Sequence, residues 1–243
     1  MRYLTLALLV VALACGGGSP SGPPPNPGPS NQPPPAPPQD PTYDLSRGVP
    51  RFVSQRHISV SNFRQISRFR SSAGHSYTDA VESCRSMKHY YSPKAGVSAA
   101  TMQIFAPVDG TVLAVDPESS GFGMQLAIRP TAQPAFRLII FHVTLGMTLR
   151  GGDTVNAGQL LGNHYGTNTD ADIAVGVNST EGYRLVSWFE VISDGVFDEF
   201  SAAGVGSRDD MIISRAARDA DPLSCDEGTF TTLGTIPSWV SLR

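Results

Sequence analysis

The sequence predicts a mainly β fold, a compact sandwich or half-barrel with a short helical extension at its C-terminal end. Three observations carry that prediction. Short runs of alternating apolar and polar residues recur from Arg51 onward, the period of half-buried strands. Glycines punctuate the stretch 151–162 (GGDTVNAGQLLG) as they do at the bends of tightly turned strands. Helix signals gather only beyond Ser193. No internal repeat marks a solenoid or propeller.

The elements follow in chain order. Met1-Arg2-Tyr3 is a short positive start, and Leu4 to Ala14 is an apolar run ending at Cys15. A bilayer span needs about 20 apolar residues, so this run has the length of a signal-peptide core instead. Ala12-Leu13-Ala14-Cys15 resembles a bacterial lipobox, with Ala12 where an aliphatic residue is usual. The resemblance implies a signal peptide over 1–14, cleavage before Cys15 and lipidation of the Cys15 thiol. It also implies a lipid-anchored envelope protein, on the outer membrane facing the periplasm or on the outer surface of the cell membrane. Twelve of the 20 prolines lie between Pro20 and Pro41. Residues 15–41 therefore read as an extended polyproline-rich tether, which has little apolar surface to bury. With Cys15 acylated, Cys84 and Cys225 remain as one disulfide pair; two buried thiols are the alternative.

Residues 42–192 read as the β domain. Phe52-Val53, His57–Val60, Phe63–Ile66 and Met102–Ala106 are extended pieces. Asp109-Gly110 is a hairpin signal leading into Thr111–Val115. Met124–Ile128, Phe136–Val143, Val155–Leu161, Asp172–Val177 and Leu185–Val191 complete the strands. In residues 193–243, packed on the domain, Asp194–Ala203 reads as a short helix. Ser207 with Asp210 reads as a capping box before Met211, Ile212, Ile213, Ala216 and Ala217. Net charge is −3, from 18 basic and 21 acidic residues, and no basic stripe marks a nucleic-acid binder.

The segments 66–79 (ISRFRSSAGHSYTD), 106–115 (APVDGTVLAV), 137–146 (RLIIFHVTLG) and 151–162 resemble, in this order, the lysostaphin-type (LytM-like) zinc endopeptidases. The likeness covers roughly residues 60–192 and implies a duplicated-hybrid-motif-like β fold with a groove across one sheet, acting on bacterial cell-wall peptides. His75 and Asp79 match the family's first metal motif, with Tyr77 where a glycine is usual. His142 matches the histidine that assists catalysis. The family's last motif, His-x-His, has no histidine here: the stretch is Asp170-Ala171-Asp172-Ile173-Ala174. In one register Asp172 remains as a metal ligand; in the other Ala174 stands at the ligand position. Asp170, Asp172 and Ala174 share one strand face, so periodicity leaves both open. A His75/Asp79/Asp172 site is oxygen-rich, suiting manganese or another divalent ion as well as zinc, or no metal at all.

Each candidate also has a plain structural role open to it. His75 can cap a turn, Asp79 can begin a helix, His142 can be a satisfied core histidine, and Asp170 with Asp172 can mark an Asx-rich turn. His89 is a spare ligand or a surface group beside Tyr90 and Tyr91; His57 and His164 have no evident partner. Three functions compete. The first is a non-catalytic module that binds the wall (peptidoglycan) or an envelope protein, with the membrane held through the N-terminal lipid. The second is an active metallopeptidase with an altered metal site. The third is a carrier module, since 106–112 and 152–159 also look like biotinyl or lipoyl half-barrels. No lysine lies between Leu113 and Gly151 to be modified, which counts against the third.

Overall fold

The computed structural model describes residues 40–98, 101–118, 121–166 and 169–243. The signal peptide, Cys15 and nearly all of the tether lie outside the described residues. The chain builds one large antiparallel sheet that is not a closed barrel. Its strands are β1 (Phe63–Ser67), β2 (His89–Pro93), β3 (Gln103–Phe105), β4 (Gly110–Pro117) and β5 (Met124–Pro130), then β6 (Phe136–Leu145), β7 (Thr154–Val155), β8 (Leu160–His164), β9 (Ala171–Ser179) and β10 (Gly182–Val186). The C-terminal part holds α1 (Trp188–Val191), α2 (Asp194–Ala202), α3 (Arg215–Ala220), the small hairpin β11 (Cys225–Asp226) with β12 (Thr229–Phe230), and β13 (Trp239–Ser241).

The main path runs β13-β1-β2-β9-β6-β5-β4-β7. β10 pairs with β9, and β8 joins β3 to β6. β9, and β6 as far as Phe141, alternate. Leu138 and Ile140 face the main core with Ile173, Val175 and Val177. Ile139, Phe141 and Ala174 face the other way and pack with Tyr77. Trp188 and Phe189 of α1 close the core side. Burying such side chains stabilises by about 1.5–3 kcal/mol each, so this face holds most of the fold's hydrophobic energy.

Several elements depart from the sequence reading. Asp109-Gly110 does not make a hairpin of the runs on either side: β3 pairs with β8, and β4 pairs with β5 and β7. Gly110 is needed for close approach, because a Cβ there would run into Arg129 O of β5. The run 155–161 is two strands around a turn, β7 and β8. The run 185–191 turns helical after Val186: Ser187 accepts from Phe189 N at 3.1 Å, and Glu190 accepts from Ser187 N at 2.7 Å. That reciprocal cap outweighs the β propensity of Trp188, Phe189 and Val191. The Ser207–Asp210 box forms too, with Ser207 N on Asp210 Oδ2 at 2.7 Å. It starts only one 3-10 turn, because Phe69 N donates to Met211 O and Ile213 N to Phe69 O, which bridges the two segments and holds Ile212 extended. The helix resumes at Ser214, whose hydroxyl accepts from Ala217 N.

Residues 193–243 belong to the same body. Val196, Phe200, Val205 and Met211 enter the main core, and β13 extends the sheet beside β1. Cys84 and Cys225 are bonded as a disulfide, with their Cα atoms 5.6 Å apart. Ser76 N donates to Gly228 O, and the Ser72 hydroxyl donates to Leu233 O. The C-terminal segment thereby braces the loop 70–86.

Candidate functional site

A cavity of about 600 Å³ opens on the second face of the sheet, where Ile139, Phe141 and Ala174 point. Its wall and floor include His75, Tyr77, Lys88, Tyr90, Glu118 and His142. No residue beyond Thr169 contributes to its lining among the described residues.

A bulge in β6 aims His142. Ile140 pairs with Leu126 and Val143 with Met124, so two steps on β5 oppose three on β6. The extra residue lets Phe141 and His142 both face the cavity before Val143 returns to the core. His142 takes a positive φ of 59°, unusual for a residue with a side chain. Its amide, freed from the ladder, donates to Glu118 Oε1 at 2.6 Å. The same carboxylate places Oε2 2.8 Å from His142 Nδ1.

Strand pairing supplies the other charges. Tyr90 of β2 lies opposite Asp172 of β9. Lys88, two residues before Tyr90, shares its face. Its Nζ donates to Asp172 Oδ2 at 2.6 Å, and the two side chains are 3% and 0% exposed. The ammonium also lies 4.0 Å from the Phe141 ring centroid, 4.9 Å from Tyr77 and 5.1 Å from Tyr90. Asp172 Oδ1 stands 3.2 Å from His142 Nε2, an ion-pair contact without hydrogen-bond alignment. The result is a line of alternating charge: Lys88, Asp172, His142, Glu118.

Electrostatics follow from that line. Burial alone would lower the His142 pKa, but the bond to Glu118 and the Asp172 and Glu118 charges outweigh it and raise the value. Burial would raise Glu118, but its bonds to His142 and the imidazolium charge leave it below the ordinary glutamate value. Every neighbour of the His142 ring nitrogens is an acceptor: Glu118 Oε2 and Phe122 O at Nδ1, Asp172 Oδ1 at Nε2. Acceptors beside both nitrogens favour the protonated ring over a free base. His75 also lines the cavity, its Nδ1 3.0 Å from Ser76 O. Burial and the Lys88 charge lower its pKa, which favours the neutral ring. Asp170 sits just before β9, raised mainly by burial.

His142 and His75 thus line one cavity, with Asp172 buried behind His142, and Asp79 does not join them. Asp79 Oδ1 accepts from Val81 N and Glu82 N at 2.9 and 3.1 Å, and Oδ2 from Leu185 N at 3.1 Å. Its carboxylate heads a turn and ties it to β10, lining a separate depression near Arg70 and Glu82. Ala174 sits on the cavity face of β9, two residues beyond Asp172. Among the described residues, no three His, Cys, Asp or Glu side chains are grouped to hold a metal ion. The buried carboxylate behind His142, Asp172, is already bonded to Lys88. The donor set present does not fit a zinc or manganese ion.

The remaining histidines are core groups. His57 is wedged between the Tyr91 and Trp188 rings, each 5.0 Å away, and burial pushes its pKa down to about 3. His89 Nδ1 meets Ser67 O at 2.7 Å and Nε2 meets the Ser187 hydroxyl at 2.8 Å; burial pushes it to about 4. His164 Nε2 lies 3.0 Å from Thr169 O, beside the cavity. Sequence reasoning missed Lys88, Glu118, Tyr90 and Phe122. Phe122 stands 39% exposed at the mouth, its ring 6.4 Å from the Tyr165 ring. The strand alternation placing Lys88 opposite His89 was available; nothing marked Glu118.

No protein-family model matches the chain, and no curated protein is similar to it in sequence. Solved structures are similar over part of it. Csd3 of Helicobacter pylori, in a hexagonal crystal, is 20% identical with a TM-score of 0.37, over 60% of this chain and 33% of that one. The catalytic domain of the antimicrobial peptidase lysostaphin from Staphylococcus simulans is 16% identical with a TM-score of 0.36, over 54% of this chain and 95% of that one. A solution structure of lysostaphin is 15% identical with a TM-score of 0.34, over 61% of each chain. The match thus spans about a third of the Csd3 chain.

Proposed function

We propose that this chain is a non-catalytic binding module of the bacterial envelope, held to a membrane by a lipid on Cys15. Its cavity holds a peptide or glycan of the peptidoglycan. The carrying observation is the setting of His142: both ring nitrogens face acceptors and Glu118 raises its pKa, which favours the protonated ring over a general base. The diversion of Asp79 into a turn supports the same reading. So does the aromatic mouth, because Phe122 and Tyr165 present exposed rings beside Gln125 and Asp116. Rings flanked by polar groups suit sugars and peptides, which have apolar faces and hydrogen-bonding edges. An odd cysteine count with one internal disulfide agrees with an exported, acylated chain.

The test is a calorimetric titration of the chain with soluble peptidoglycan fragments, with mass analysis of the fragments afterwards. Binding without cleavage, weakened at least several-fold by Phe122→Ala, is the expected result. Absence of binding at any concentration ends the proposal. His75 and His142 on one cavity, with Asp172 behind His142, leave a second reading, a metallopeptidase with an altered site. Cleavage that chelator and His75→Ala both abolish would establish that reading instead.

A further inference from the structure

Asp172 presents the central problem of the site. A carboxylate with no exposed surface needs a positive partner, and leaving it unpaired is strongly destabilising. Asp172 lies behind a cavity lined by His75 and His142, and a divalent ion is one candidate for that partner. The protein supplies another. Lys88 Nζ meets Asp172 Oδ2 at 2.6 Å, and its other sides face the rings of Phe141, Tyr77 and Tyr90 rather than oxygen or nitrogen donors. Such a ring cage suits a compact organic cation. It offers few lone pairs to a divalent ion, which takes four or more ligands.

We propose that Lys88 is the resident cation of this site: an ammonium tethered to the chain, standing on Asp172 in place of a metal ion. The cavity is therefore complete without metal. Two features of the chain agree. Lys88 is one of only two lysines in a chain with 16 arginines, so the choice of side chain here is specific. Asp79, the carboxylate that would have completed a metal set with His75, is committed to three backbone amides elsewhere. An ammonium has no open coordination position and cannot lower the pKa of a bound water. The tether gives Asp172 a counter-charge whose presence does not depend on metal supply.

The proposal goes beyond the wall-binding reading and does not need it. Failure to bind peptidoglycan fragments would end that reading and leave this one standing, because the test below uses no wall ligand. The full chain is dialysed against zinc or manganese and its bound metal counted, beside Lys88→Met, Asp172→Leu and the double variant, each also unfolded in urea. The wild-type chain is expected to retain no stoichiometric metal. Each single variant is expected to lower the urea midpoint by about 1–2 M, the size expected for stranding a buried charge. The double variant is expected to recover most of that loss, since neither charge is left stranded. If a single variant does not fold, the recovery of the double variant and the wild-type metal count still decide. One equivalent of metal on the wild-type chain overturns the proposal. So does a double variant that loses the sum of the two single losses.

Discussion

Replacing Glu118 by Gln and by Ala separates its two tasks at the bulge. Gln keeps an oxygen that can accept the His142 amide, now 2.6 Å from Glu118 Oε1, but removes the charge beside Nδ1. Ala removes both. The ion-pair part is modest, because a partly screened pair is worth about 0–1 kcal/mol. The amide bond to a carboxylate is the larger part, about 1.5–3 kcal/mol, since Ala leaves a bulge N–H without a partner. Ala should therefore destabilise by about 1–2 kcal/mol more than Gln in urea unfolding. The pH dependence has a definite sign. The His142 pKa is raised in the folded chain, so its contribution is fully present below the unfolded value and is lost as pH rises through the folded one. The gap between wild type and Glu118→Gln should accordingly be widest near pH 6 and close in alkali. An NMR titration of the His142 ring should show its pKa fall in Glu118→Gln. Equal losses for Gln and Ala, or an unmoved His142 titration, would refute the assignment of both tasks to this carboxylate.

Acid should unfold the protein through its buried histidines. With His57 at about 3 and His89 at about 4, the unfolded chain takes up protons first, so stability falls as pH drops from near 6.5 toward those values; a flat urea midpoint across that range would contradict it. Reducing Cys84–Cys225, which are 141 residues apart, should cost about 2–5 kcal/mol. A thermal midpoint that ignores reductant would count against a disulfide-braced loop 70–86. Gly74→Ala should destabilise by about 1–3 kcal/mol, because Gly74 has φ +66° and a Cβ there meets the Tyr90 ring; a neutral thermal melt would rule out that packing.

Most of the sheet could be read from the chain. Phe136–Val143 and Asp172–Val177 alternate as strands, and β6 and β9 are those strands. The misread stretches have identifiable causes. Trp188–Val191 has β-forming side chains, and only the Ser187–Glu190 spacing signals its helix. At the site, strand parity put Asp172 and Ala174 on one face and nothing more. His89 drew notice as a possible ligand, yet pairing with Ile173 sends it to the core and leaves the cavity to Lys88 and Tyr90. Asp79 shows a different limit: an Asp that heads a turn and an Asp that binds a metal look the same in sequence. The bulge at His142 left no glycine to announce it.

Both ends of the body are sewn into the same sheet. Tyr43 bonds to Asn178 and Thr180 beside β9, and Trp239–Ser241 lines the outer edge of β1. For a chain emerging from its N-terminal side, β1 keeps an open, hydrogen-bonding edge until residue 241 has appeared. Such long-range pairings fold slowly, because loop closure must be met before any contact rewards it. A shortened chain lacking the last few residues would leave that edge unpaired, and an unpaired edge is where one copy adds to another. The order in which the polypeptide becomes available is thus a property of this fold as much as its contacts are.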